Sequence, residues 1–487
     1  MISKHLRTEA DKLGSLSLPA DILYGIGTKR ALENFPLNSG LVSPHLIHSI
    51  ILVKKAAALT HLELKQIEEN KGNAILSACE ELLSFTEQIS NSTHSAYSKN
   101  ALLFQNKYHF SDLFPLHPLQ GGAGTSANTN VNEVIANVAL TKLGYEPGHY
   151  NIIHPLDDVN KSQSTNDVYP TALRIACIAL VRKLSLALSK LQESLQKKEL
   201  TFEHILKLGR TELMDAVPIT LGEEFGAYAQ CIARDRWRIY KVEERLRQVN
   251  LGGTAVGNGT NTTKRYRFKA VEHLRDFTGF GIAAAEYPMD FTQNADVFVE
   301  VSGLLKSCAV NLMKISNDLR LMNSGPYGGF GEISLKPLQP GSTIMPGKVN
   351  PVLPEMIGQV SMQVMANDSA ISMAASGGQF ELNAFLPLIA DRILESLELL
   401  TNGVSLFREK CIEPLQANEK NCRKHLVAST VFITAFVPYI GYDNATRIHT
   451  ACNGDTHLIK PLILQEQLLS EDKINEIIRK NKLEEFL

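Results

Sequence analysis

The chain has 487 residues, of which 44% are hydrophobic and 21% charged, and a formal net charge of −2. Such proportions are ordinary for a globular protein of about three domains, and a near-neutral chain gives no electrostatic case for binding nucleic acid or an anionic membrane. Seven scattered cysteines (79, 177, 231, 308, 411, 422 and 452) form no Cys-x-x-Cys pair, which argues for reduced thiols and a cytoplasmic setting. The opening MISKHLRTEADKLG has no apolar core of the kind a signal peptide needs. No run of about 18 apolar residues predicts a membrane helix.

In chain order, residues 1–40 are broken by Pro19, Gly25, Gly27, Pro36 and Gly40 and predict loops and short elements. From 43 to 86 the pattern turns helical, as in LVKKAAALTHLELKQIEE. Residues 88–118 are polar and aromatic without a clear period and read as an irregular excursion. A Gly-rich stretch, QGGAGTSANTN, then feeds a helix. The spacing of Leu184, Leu188, Leu191 and Leu195 predicts one long amphipathic helix over 166–199. Val301, Leu305, Cys308, Leu312, Ile315, Leu319 and Met322 predict a second over 297–322. Two more are expected over 354–376 and 380–412. Pro170 is expected in a first helical turn, where proline is tolerated. No alternating stretch is long enough to demand a substantial sheet. The fold class is therefore all-α, with long helices buried in a bundle. From about 420 the elements shorten. The expected divisions are 1–162, mostly helical; 163–419, a central long-helix bundle; and 420–487, a small helical module.

The stretch GSTIMPGKVN, 341–350, places hydroxyls before a Pro-Gly turn and a lysine. It is not a phosphate loop, because Lys348 is followed by Val349 instead of Ser or Thr and no strand precedes it. His45 and His48 form an H-x-x-H with no acidic or cysteine partner at ligand spacing, so a histidine pair on a helix, partly exposed, is expected and no metal site. Four stretches share an unusual density of Ser, Thr, Asn and Gly: QGGAGTSANTN, KSQSTNDVYPT, LGRTELMDA and GSTIMPGKVN. One such cluster would be an ordinary helix cap. Four exceed what capping requires. Helix N-termini with hydroxyl donors suit carboxylates, and with Lys348 they could hold a small dicarboxylate at both ends.

These segments resemble the aspartase/fumarase superfamily, from Arg7 to the C-terminus. GSTIMPGKVNP is similar to its signature loop. QGGAGTS, SQSTND and GRTELMDAVP resemble the aspartase branch, the fumarase branch typically showing TGSGTQ, SQSSND and GRTHTQDA. Residues 88–112 look like an insertion. The resemblance implies an all-α, three-domain subunit. Four subunits would pool their long helices into a shared core, and each active site would draw on three of them. It implies anti elimination of ammonia from L-aspartate to give fumarate through an aci-carboxylate, with no metal or organic cofactor. Ser342 would be the base, with Lys348 and Asn350 on the α-carboxylate. Thr125, Ser164, Thr165 and Thr343 would hold the β-carboxylate. Asn166, Thr211 and Glu212 would face the amino group, with Glu355 beside Glu212.

Position 212 departs from the Gln or His usual in the family. Two carboxylates side by side would share a proton, and a carboxylate near the substrate nitrogen would favour an amine over a hydroxyl. Gly27 and Asp158 stand where His is common, and Thr343 replaces a second loop serine. The rivals are a fumarate hydratase or a substituted-aspartate lyase of the same superfamily, and a helical scaffold without chemistry. A histidine at position 212 followed by a threonine would mark the hydratase, whereas this chain has Glu212 and Leu213.

Overall fold

The computed structural model describes residues 5–37, 39–91, 107–481, 483–484 and 486–487. Of the expected insertion, 92–106 lie outside the described residues. The architecture is helical, and the sheets among the described residues are four two-stranded ones. The chain divides into two compact units. One comprises Met1–Ser185, Trp237–Ser307 and Met362–Thr401, and the other Leu186–Arg236, Cys308–Ser361 and Asn402–Leu487.

The first unit packs the helices Pro44–Glu63, Glu69–Asn91 and Thr125–Lys142 against one another. Their contact faces are small or branched: Ile47, Ile50, Ala57, Ala78, Leu82, Val131, Val134 and Val138 are fully buried. Full burial of a Leu or Ile side chain stabilises by about 1.5–3 kcal/mol. The short helix Ile26–Asn34 has no side-chain cap of its own. Its orphan N–H groups are met by a buried carboxylate from another helix. Glu133 accepts from Gly25 N, Gly27 N, Thr28 N and Thr28 Oγ1, at 2.6–3.1 Å. Burial still pushes the Glu133 carboxyl up to about 7, against the pull of those donors.

The expected stripes are realised. Leu184, Leu188, Leu191 and Leu195 are buried on the helix Thr165–Thr201, as are all seven stripe residues of Asp296–Met322. In the second unit the C-terminal elements form their own core, in which Leu426, Phe432, Phe436, Ile448, Ile463, Ile474 and Ile477 are sealed from solvent.

Three expectations need correction. Pro170 lies in the second turn of its helix, inside the element. A proline there cannot donate to the carbonyl four residues back. That carbonyl, on Asn166, instead accepts from Asn250 Nδ2 at 3.0 Å. The helix expected over 380–412 begins at Leu386. Phe380 has φ +53°, and Asn383 Nδ2 donates to Ala374 O and Ala375 O, which ends the preceding helix Val352–Ser376 and turns the chain. The H-x-x-H pair is partly exposed at His48 only, and His45 departs from the expectation. His45 is buried 3.3 Å from Glu398, and His48 Nδ1 lies 2.8 Å from Thr86 Oγ1.

Candidate active site

In the first unit two helix N-termini come together. Gly124 precedes the helix Thr125–Lys142 with φ +96°, and a Cβ there would lie 2.3 Å from the Tyr169 ring. Only glycine permits that approach, which brings the start of this helix against the second turn of Thr165–Thr201. One turn into the first helix, Asn128 Nδ2 donates to Thr165 Oγ1 at 3.1 Å. Thr125 is exposed and donates its hydroxyl to Gly122 O.

Ser164 and Asp167 cap the second helix reciprocally, Ser164 Oγ accepting from Asn166 N and Asp167 accepting from Ser164 N. Asp167 is sealed from solvent and also accepts from Gly252 N and Thr254 N, fixing the loop that follows residue 250. Burial raises its carboxyl to about 6. Asn166 donates its Nδ2 to Ala255 O at 2.7 Å. Ser164, Thr165 and Asn166 thus share one helix start, held by buried polar groups. Behind it lies Lys54, fully buried, donating to Asn160 Oδ1 and Gln163 Oε1. Burial pulls its ammonium down to about 7, with the nearby Asp167 charge opposing.

In the second unit the 341–350 loop is closed at its base. Gly341 N donates to Lys348 O and Asn350 Nδ2 to Gly341 O, both at 2.8 Å. A Cβ on Gly341 would lie 2.6 Å from Lys348 O, so only glycine fits. Gly347, at φ +76°, makes the turn before the lysine. The Ser342 hydroxyl oxygen accepts from Ile344 N and Met345 N, at 3.1 and 2.8 Å. Two N–H groups aimed at one oxygen favour negative charge on it, which is what a serine acting as a base requires. Thr343 and Lys348 are exposed. Lys348, Asn350 and Glu355 line a cavity of about 800 Å³ together with Arg320, Asn323 and Ser324.

Thr211 and Glu212 occupy the tip of an antiparallel hairpin, Leu206–Thr211 with Met214–Thr220. Glu212 and Leu213 form its two-residue turn with φ +55° and +66°. Such a turn normally takes Asn-Gly or Gly-Gly, because both residues sit in the left-handed region. Behind the tip is a buried ion cluster. Glu332, with no exposed surface, pairs with Lys207 at 3.0 Å, Arg210 at 2.8 Å and His425 at 3.2 Å. Burial would raise the Glu332 carboxyl, but Arg210 and Lys207 hold it below its ordinary value. Among the described residues of a single chain, Glu212 makes no hydrogen bond with Glu355. Asp158 accepts from His154 N, a local turn contact, and pairs at 3.6 Å with Lys71 of the helix Glu69–Asn91.

Sequence reasoning missed Lys54, Asn128, Asn160, Asp167, Asn250 and Glu332. Asp167 alone carried a signal, standing three residues after Ser164 in a capping pattern. Among the described residues no group of three or more His, Cys, Asp or Glu side chains is placed to hold a metal ion, and no helix is long and apolar enough to cross a membrane.

A helical scaffold carries hydroxyl-rich helix starts in one unit and a serine-bearing loop in the other, and the family it belongs to is one of lyases. Residues 14–366 match the family model described as Lyase and 432–484 that described as Fumarase C C-terminus, and the chain belongs to this lyase family. It is 41% identical to an aspartate ammonia-lyase of Bacillus subtilis (strain 168), over 98% of this chain and 95% of the relative. It is 44% identical to an aspartate ammonia-lyase of Pseudomonas fluorescens, over 97% and 95%. Among solved structures it resembles a fumarate lyase:delta crystallin from Brucella melitensis bound to cobalt, with TM-score 0.87, 40% identity and 98% of each chain covered.

Proposed function

We propose that the protein is an aspartate ammonia-lyase that reversibly eliminates ammonia from L-aspartate to give fumarate. The observation that carries this reading is likeness along nearly the whole chain to aspartate ammonia-lyases at 41–44% identity. The loop geometry supports it. Ser342 takes the proton from Cβ, its oxygen stabilised by the N–H groups of Ile344 and Met345. Lys348 and Asn350 hold the α-carboxylate. Thr125, Ser164, Thr165 and Thr343 hold the β-carboxylate, which gains a second negative charge as the proton leaves. Donors fixed in advance around that charge are the main catalytic resource. Asn166, Thr211 and Glu212 face the departing amine, with Glu355 close to Glu212 once subunits assemble.

The working unit in this reading is a cytoplasmic homotetramer whose sites pool segments from three subunits. The exposed apolar side chains of the long helices support assembly, among them Leu186, Val310, Met362 and Met373. The test is fumarate formation, followed by its ultraviolet absorbance, with L-aspartate and L-malate in parallel and Ser342→Ala as control. Fumarate from aspartate alone, falling about a thousandfold or more in the variant, is expected. Fumarate from malate would move the protein to the hydratase branch and overturn the reading.

A further inference from the structure

We propose that Lys54 is a positioning residue that fixes the hydrogen-bond direction of Thr165, so that the Thr165 hydroxyl presents its proton to the substrate carboxylate. This rests on the carboxylate role given to Thr165 above. The argument starts from an ambiguity. A carboxamide rotated by half a turn exchanges its oxygen and nitrogen with almost no change of shape, so each buried Asn must be told which way to face. A lysine ammonium removes that freedom, because it has three donors and no acceptor.

Lys54 Nζ lies 2.8 Å from Asn160 Oδ1, so that oxygen faces inward, and Asn160 Nδ2 donates outward to Gln163 O. Asn128 must then meet Asn160 Oδ1 with its nitrogen, at 3.2 Å, and Asn132 does the same. The second proton of Asn128 Nδ2 goes to Thr165 Oγ1. The threonine oxygen is thus an acceptor from behind, and its own O–H is directed away from Asn128. The relay runs in one direction, from a buried cation to a helix start.

A second observation shows that the direction is imposed. Asn128 Oδ1 and Asn132 Oδ1 are both buried without a partner. An unmet buried acceptor is costly, because it has given up its bonds to water and gained none. Rotating Asn128 would let its oxygen accept the Thr165 proton and relieve that cost, but it would set the oxygen against Asn160 Oδ1. With Lys54 in place the molecule tolerates the unmet oxygens and keeps the Thr165 proton free.

The experiment is a double-mutant cycle with a structural arm. Lys54→Met is expected to lower kcat/KM for aspartate about tenfold, and Thr165→Val similarly. The double variant should be no worse than Thr165→Val alone, because the relay acts through that hydroxyl. Losses that multiply would overturn the proposal, as would a Lys54→Met enzyme within about twofold of the parent. If Lys54→Met does not fold, Asn128→Asp takes its place in the cycle, since a carboxylate there accepts the Thr165 proton. Neutron diffraction on the free, unsubstituted protein reads the direction without any substrate. Deuterium on Thr165 pointing away from Asn128 is expected, and deuterium pointing at Asn128 would overturn the relay. A parent protein inert toward aspartate would sink the functional reading alone, and the neutron arm would still decide the relay.

Discussion

Asn250 donates its side-chain amide to the carbonyl of Asn166, the one group that Pro170 leaves without a partner inside its helix. The same amide nitrogen donates to Thr292 Oγ1 at 2.9 Å, and Asn250 has no exposed surface. Asn250→Leu should therefore strand the buried Asn166 carbonyl, while Thr292 Oγ1 keeps its bond to Pro288 O, and destabilise the protein by about 1–3 kcal/mol. Urea unfolding measures it. A loss below about 0.5 kcal/mol would mean that water serves Asn166 equally well. The reverse change should be benign: with Pro170→Ala the helix regains its own hydrogen bond, and Asn250→Leu should become less costly in that background.

The hairpin tip separates backbone from charge. Replacing Glu212-Leu213 by Asn-Gly supplies residues suited to positive φ and should raise stability by about 1–2 kcal/mol. It should lower activity if the carboxylate faces the amine. Glu212→Gln keeps the backbone unchanged and tests the charge alone. We expect the preference for aspartate over malate to narrow. An unchanged ratio of kcat/KM values would remove Glu212 from the account of specificity.

Gly27 meets a wall on one side. A Cβ there would lie 2.6 Å from Thr129 Cγ2 and 2.8 Å from Glu133 Oε1. Glu133 cannot step aside, because four donors hold it. Gly27→Ala should cost about 1–3 kcal/mol, and thermal unfolding will show it. Gly27→Ala at full stability would mean that the start of the Ile26–Asn34 helix is softer than its hydrogen bonds imply.

Acid should find His48. Burial pulls its imidazolium down to about 4, with the charges of His45 and Lys183 adding to the effect. Between about 4 and its ordinary value of 6.5 the unfolded chain holds a proton that the folded one does not. Its contribution is thus fully present above that window and is lost as the pH falls through it, to the extent of roughly 3 kcal/mol. Glu133 and Asp167 act in the opposite sense, since burial raises both carboxyls and favours the fold toward acid. The difference between parent and His48→Asn isolates the histidine: its unfolding free energy should fall less steeply from pH 6.5 to 4. Parallel curves would assign the acid sensitivity elsewhere.

The long helices were legible because their stripes repeat over many turns, and burial at Leu188 or Leu312 follows from spacing alone. The four polar clusters were legible because they exceed what capping needs. What escaped depends on partners far away in the chain. Lys54 sits beside Lys55 in VKKAAALTH, and nothing local says which lysine goes inside; its acceptors stand 106 and 109 residues away. The hairpin tip escaped because Glu-Leu carries no turn signature. Pro170 was set one turn too early because the helix start, Thr165, is fixed by the Ser164–Asp167 cap and not by the proline.

The closed base of the 341–350 loop bears on how the loop can work. Its ends are tied through Gly341, Lys348 and Asn350, and Ser342 already gathers the N–H groups of Ile344 and Met345. Fixing a free residue costs about 1–2 kcal/mol in chain entropy. A loop pinned in this way has surrendered much of that entropy before any substrate arrives, and only its small tip is left to adjust. In the proposed elimination, binding energy that would otherwise order the chain is left for the transition state.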